Sequence, residues 1–312
     1  MQGIFVVKTF SLFGSDTMPV LGLILAMLLW GSSFLALKIA FTGFDPLVTI
    51  WARMLIAFFV FVCVWKRFSR VVYLPGDWKY LVLMALCEPC MYFTFEAYAL
   101  TQTTASQAGM ITAMLPLIVA LMARFFLGER ISRRTMTGFC VAISGAVLMS
   151  LNGTPEAGAP RPLLGNILEL GAMCWGAGYT ICLKKLSARY PPLFLTAVQT
   201  LVGSVFFTVP VVSLPWIHFP ETLPLIPVLA IVYLAVAVSM GAYGLYNFGV
   251  SRLPAGQASA FTNLVPVFAL FLGWLVFEET LLPLQWVGAA CVMVGVVISR
   301  DGRAPGSEQT RT

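Results

Sequence analysis

Apolar residues fall along this chain in long blocks, each ended by a short polar stretch. Ten such blocks lie at about 19–41, 46–65, 78–100, 104–127, 134–151, 163–183, 192–214, 225–250, 255–277 and 283–299. Each is close to the roughly 20 residues that an α-helix needs to cross about 30 Å of hydrocarbon. None shows the strict apolar–polar alternation of a barrel strand. Helices are therefore expected, because an open strand edge would leave backbone groups unsatisfied in lipid. Pro89, Pro116, Pro210 and Pro266 lie inside blocks and are expected to kink them, since each removes a backbone donor.

The pattern is written twice. The run YALTQTTASQAGMITAMLPLIVALMARFFLGERISRRTMTGFCVAISGAVLMS at 98–150 aligns without a gap on FGVSRLPAGQASAFTNLVPVFALFLGWLVFEETLLPLQWVGAACVMVGVVISR at 248–300. Ala105, Gln107, Ala108, Thr112, Pro116, Glu129, Gly138, Gly145 and Val147 recur as Ala255, Gln257, Ala258, Thr262, Pro266, Glu279, Gly288, Gly295 and Val297. These identities span two blocks and the turn between them, so shared hydrophobicity does not account for them. The front halves align more loosely, Trp30-Gly31 on Trp175-Gly176 and Phe34 on Tyr179. Duplicated helical units in a membrane usually signal transport.

Composition and charge fix the class and the orientation. Charged residues make up 10% and apolar residues 59%, against about 25% charged in a soluble domain. The chain reads as a polytopic membrane protein, and its basic excess as a loop bias rather than a nucleic-acid footprint. With the amino terminus inside, sixteen of the nineteen Lys and Arg residues fall in inside segments and only Arg161 falls in an outside loop. Both termini are expected in the cytoplasm. Five spans per repeat is an odd number, so the two halves must be inverted, with a substrate site near the midplane between them. The expected division is a cytoplasmic tail at 1–17, a first five-helix repeat at 18–151 and an outside linker at 152–162. A second five-helix repeat at 163–299 and a cytoplasmic tail at 300–312 complete it. The first seventeen residues lack the pattern of a signal peptide, and either Met1 or Met18 fits as the start.

The segments WGSSFLALKIAF, FDPLVTIWARMLIAFF and TASQAGMITAMLPLIVALMARFFLGERIS resemble the EamA family of the drug/metabolite transporter superfamily. The Trp-Gly-Ser opening, Lys38 near the end of the first span, Arg53 in the second and Leu-Gly-Glu-Arg after the fourth carry the likeness, over about 20–300. The second half departs from the pattern, with Glu278-Glu279 in place of Gly-Glu and no basic residue matching Lys38. The resemblance implies ten helices around a central cavity and export of small metabolites, often amino acids or related compounds.

Charges inside the spans are where chemistry is expected, since each costs at least a few kcal/mol at a helix centre unless paired or hydrated. Five occur: Lys38, Arg53, Glu88, Glu96 and Glu169. Glu88, Tyr92 and Glu96 are spaced to share one helix face. Glu88 reads as a site for a substrate ammonium or a coupling proton, with a satisfied structural carboxylate as the plain alternative. Lys38, Arg53 and Glu96 fall near the outer face by span counting and read as a gate or neutralised charge cluster. Glu169 reads as an interface residue. Trp30 and Trp175, repeat partners at mid-depth, with Tyr179 one turn on, suggest two walls of one cavity. Ser239, Tyr243 and Asn247 form a polar stripe, and Asn263 stands beside Thr262 in a two-fold polar set with Gln107, Thr112 and Gln257. Gly138, Ala142, Gly145, Gly288 and Gly295 give the fifth and tenth spans small faces for scaffold or homodimer contact.

No metal quartet, phosphate loop or acyl-transfer motif stands out, and Cys87-Glu88-Pro89-Cys90 lacks a second ligand pair. The expectation is a non-enzymatic secondary transporter of a cell inner membrane, without cofactor or metal, driven by proton coupling or exchange. Its partners would be a small-molecule substrate and the lipid bilayer. Proton-coupled efflux of cationic drugs, metabolite uptake and a non-transporting scaffold are the alternatives.

Overall fold

The protein is described here by a computed structural model covering residues 17–299 apart from 64–70, 72, 128–132, 152–154, 156–157, 188, 218 and 253–260. Helix is the only regular structure among the described residues. The first two spans are α1 (Thr17–Phe41) and α2 (Pro46–Cys63). The third is α3 (Trp78–Ala85), a π-helical stretch (Leu86–Met91) and α4 (Tyr92–Leu100). The fourth is α5 (Ala105–Ile111), a 3-10 turn (Thr112–Met114) and α6 (Leu115–Leu127), and α7 (Arg133–Leu151) follows. In the second half come α8 (Pro162–Leu186) and α9 (Pro192–Ser213). Then α10 (Leu225–Tyr233), a π-helical stretch (Leu234–Ala242) and α11 (Tyr243–Arg252) run end to end. A 3-10 turn (Phe261–Leu264) leads into α12 (Val265–Phe277), and α13 (Pro283–Ser299) closes the fold.

Six helical runs are long and apolar enough to cross a membrane: Thr17–Phe41, Pro46–Cys63, Trp78–Leu100, Ala105–Met122, Leu193–Ser213 and Leu225–Tyr246. Met136–Leu151, Phe261–Phe277 and Pro283–Ile298 are shorter apolar helices. The 25-residue α8 reaches about 37 Å, with Asn166 and Glu169 interrupting its apolar run. Large side chains such as Val209 and Val212 on α9 and Phe271 and Trp274 on α12 lie more than half exposed. A belt of that kind belongs against lipid rather than water.

Helix breaks recur at matching places in the two halves. Pro116 and Pro266 are each the second residue of the α-helix that follows a 3-10 turn. The two π-helical stretches also overlie one another when the halves are aligned. Pro210 lies inside α9, which continues as helix to Ser213. It sits three residues from the helix end, so the bond it cannot donate, to the Phe206 carbonyl, belongs to the last turn.

Packing pairs the halves. α2 lies against α9, α5 against α12, and α7 against α13. The α7–α13 contact is made backbone to backbone. A Cβ on Gly145 would stand 2.5 Å from the Gly288 carbonyl oxygen, and one on Gly295 would stand 2.5 Å from that of Gly138. The small faces of these two helices are thus filled by each other within one chain.

Polar ties close the ends of the bundle. The Arg189 guanidinium pairs with Asp77 at 3.0 Å, and the Tyr190 hydroxyl donates to the same carboxylate at 3.1 Å. At the other end the Glu279 carboxylate accepts from the N–H groups of Ala105 (3.0 Å) and Ser106 (2.8 Å), the first turn of α5. Glu278, in the left-handed region (φ 54°), turns the chain out of α12 and sets its neighbour toward α5.

Candidate functional site

Pro89 shapes the site. The residue before a proline is pushed out of the α region, and Glu88 is extended (φ −146°, ψ 116°) in the middle of the third span. Its carbonyl therefore loses a helical donor and accepts instead from Gln199 Nε2 of α9 at 2.8 Å. The break also turns the Glu88 side chain across the bundle, where its carboxylate accepts from the Tyr243 hydroxyl. Tyr243 opens α11 directly after the second π-helical stretch. Two matching breaks thus meet at one hydrogen bond.

Arg53 stands on the opposite wall, only 2% exposed on α2. Its Nε donates to Ser239 Oγ at 2.7 Å, and its guanidinium lies 4.3 Å from the centroid of the Phe93 ring. The acidic charges around it are Glu96 and Glu88. Among the described residues the buried guanidinium is held by one hydrogen bond and a ring face, which leaves donors for a carboxylate.

These residues bound a cavity of about 130 Å³, room for roughly four waters at about 30 Å³ each or one small metabolite. Trp30, Ser33 and Phe34 line it from α1, and Tyr92, Phe93 and Glu96 from α4. Gly176, Tyr179 and Thr180 line it from α8, with Val238, Tyr243 and Tyr246 facing them. The repeat partners Thr112 and Thr262, one from each 3-10 turn, both reach it. The Trp30 ring meets Tyr243 edge-on at 5.3 Å and Tyr246 at 5.0 Å. Its chemistry is an aromatic chamber holding one cationic and two acidic side chains.

The structure gathers most of the sequence candidates and disperses others. Trp30, Arg53, Glu88, Tyr92, Glu96, Tyr179 and Tyr243 share the cavity wall. Trp175 does not line it. The stripe that faces inward on α8 is Met173, Gly176, Tyr179, Thr180 and Leu183, and Trp175 stands one residue off it, packed in the cluster of Leu81, Met84 and Cys87. Asn263 is buried beside the cavity while its neighbour Thr262 takes the wall. The side chain of Asn247 lies outside the described residues, as does all of Gln257. Lys38 leaves the expected charge cluster, because its ammonium donates at 2.7 Å to the Gly158 carbonyl in the connector between the halves. Gln107 joins Thr103, Asn166 and Ser150 in a buried hydrogen-bonded group away from the cavity. Tyr246 escaped sequence reasoning, though it lies one turn from Tyr243. Glu169 is no interface residue, having no exposed surface at all.

The sequence pattern defining the EamA-like transporter family matches this chain twice, over residues 17–151 and 163–300. The chain belongs to the EamA-like transporter family. Among its EamA-type relatives is YcxC of Bacillus subtilis (strain 168), named as an uncharacterized transporter. It is 30% identical over 285 residues, which cover 86% of this chain and 88% of that protein. A protein of Escherichia coli (strain K12), named as a probable amino-acid metabolite efflux pump, is 25% identical over 89% of this chain and 93% of its own length. A solved crystal structure shares the fold, with a TM-score of 0.63 at 18% identity, over 91% of this chain and 99% of that one. Family and apolar helices together make this a multi-pass membrane protein of a transporter family.

Proposed function

We propose that this EamA-family chain is a secondary transporter that exports small amino-acid-like metabolites across a cell inner membrane by alternating access. One observation carries the reading: Arg53 and Glu88 open onto the same aromatic cavity. A zwitterion needs both. Its carboxylate suits the guanidinium through charge-assisted hydrogen bonds, and its ammonium suits Glu88 and the faces of Trp30 and Tyr92. A purely cationic cargo would meet Arg53 as a like charge. The Escherichia coli relative, named as a probable amino-acid metabolite efflux pump, agrees with this substrate class.

Ten spans in two inverted repeats, with both termini in the cytoplasm, are the architecture that goes with this mechanism. The matched helix breaks and the symmetric glycine contacts between α7 and α13 support it. Rocking of one half against the other would be absorbed at the 3-10 turns and π-helical stretches that border the cavity.

The test is counterflow in proteoliposomes preloaded in turn with single amino acids, polyamines and lipophilic cations. Labelled amino acid should accumulate transiently against an amino-acid preload and not against the cations. Exchange confined to lipophilic cations would overturn the substrate class. No exchange with any panel member, from protein shown to be folded, would favour a non-transporting scaffold.

A further inference from the structure

Behind the cavity wall stands an acid that the transport reading does not use. Glu169 lies two turns into α8, and its side chain is 0% exposed. Among the described residues neither of its oxygens has a hydrogen-bond partner, and the same holds for Oε2 of Glu96. The charge that Glu169 meets is that of Glu96.

Glycines explain the juxtaposition. A Cβ on Gly165 would come within 2.6 Å of Thr103, one on Gly171 within 2.6 Å of Phe95, and one on Gly176 within 3.2 Å of Tyr92. α8 therefore runs antiparallel to α4 at close approach, and this register brings Glu169 level with Glu96. Glu96 faces the cavity, while Glu169 does not line it.

Two carboxylates at the same level of facing helices, three of their four oxygens buried without a partner among the described residues, would repel each other and lose hydration if both were ionised. A proton on either member relieves that repulsion. A larger cation is excluded by the geometry. Glu169 offers no surface to one, and no group of three metal-binding side chains occurs among the described residues. The titratable groups near the pair are Tyr92 on α4, then Arg53 on α2 across from Glu96, and Glu88 at the π-helical stretch. α5 brings no titratable side chain, and Arg133 and Arg134 on α7 lie at the far end from Ser150, the residue that bonds α8. Arg124 on α6 lies nine residues beyond Leu115, which meets α8 at Gly176.

We propose that Glu96 and Glu169 form a proton-binding site, separate from the substrate groups Arg53 and Glu88. Glu169 stores the proton, and Glu96 passes it to or from water in the cavity. Each transfer moves one proton from one carboxyl oxygen to the other, so no other reactant is needed. Coupling of this proton to cargo rests on the transport reading above; the site itself does not.

Infrared spectroscopy of the purified full-length protein in lipid nanodiscs, across a pH titration and without any substrate, reads the site directly. Wild type should show a protonated-carboxyl C=O band that is still present at neutral pH and lost reversibly on alkaline titration. E169Q and E96Q should each lose that component, while E88Q keeps it. An E169Q spectrum that superposes on wild type overturns the proposal. Where E169Q does not fold, E96Q on the other helix carries the comparison, and a wild type without any such band at neutral pH overturns the proposal by itself. Failed counterflow leaves this titration untouched, so the two readings fail separately.

Discussion

Glu88 and Tyr243 come from different halves of the chain and meet in one hydrogen bond. Removing the hydroxyl leaves the ring in place and takes one partner from a carboxylate, a loss of about 1.5–3 kcal/mol. Y243F should therefore weaken substrate affinity about tenfold to a hundredfold, read as a rise in the half-saturating concentration in counterflow with little change in folded yield. Arg53 supports a second test. Its fork bonds Ser239 and covers the Phe93 ring at once, which a lysine cannot reproduce. R53K should lose exchange of amino acids, and unchanged exchange would remove Arg53 from the substrate site. At this scale the charged positions were legible because each is costly inside a span. Their company was less so. Trp175 and Asn263 each miss the wall by about one residue, roughly 100° of helix rotation, and repeat alignment alone does not resolve such a turn. Span counting gives the depth of Lys38 but not its contact with a carbonyl in the connector between the halves.

Spans read from hydrophobicity become compound elements in three dimensions. The third, fourth, eighth and ninth are each assembled from α-helix with a π-helical stretch or a 3-10 turn. Three prolines announced the breaks in the third, fourth and ninth; nothing in LAVAVSMGA announces the π-helical stretch of the eighth. It becomes intelligible only as the counterpart of Leu86–Met91. Close glycine packing was visible as small faces, but which helix filled them was not. G145V should abolish monodisperse protein, because its Cβ alone would stand 2.5 Å from the Gly288 oxygen and 2.7 Å from Cys291. G244A, with nothing within 4 Å of the added carbon, should behave as wild type. Size-exclusion profiles in detergent check both. E279A removes the acceptor for two N–H groups of α5, worth about 0.5–2 kcal/mol for a helix cap. A melting temperature lower by about 2–4 °C for each kcal/mol is the expected reading.

For the molecule as a whole, loop charge predicts which side each end occupies. An alkaline phosphatase fused at 300–312 should stay inactive, and one inserted within 152–162 should be active; the reverse pattern would invert the topology. The connectors bear on the same question. Asp77, Arg189 and Tyr190 tie the entry to α3 to the exit from α8 at one end, while Gly158 and Lys38 meet at the other.

The glycine contact between α7 and α13 reaches further than stability. Gly145 meets Gly288 and Gly295 meets Gly138, and advancing the first pair by the repeat length, while folding it back on itself, yields the second. A contact whose two ends are copies of each other is self-complementary, the kind made by two identical subunits about a two-fold axis. Under the inverted-repeat architecture proposed above, one repeat would meet its own twin through these glycines. The present gene can then be cut between the codons of its connector, and the two polypeptides, expressed together, should find each other again.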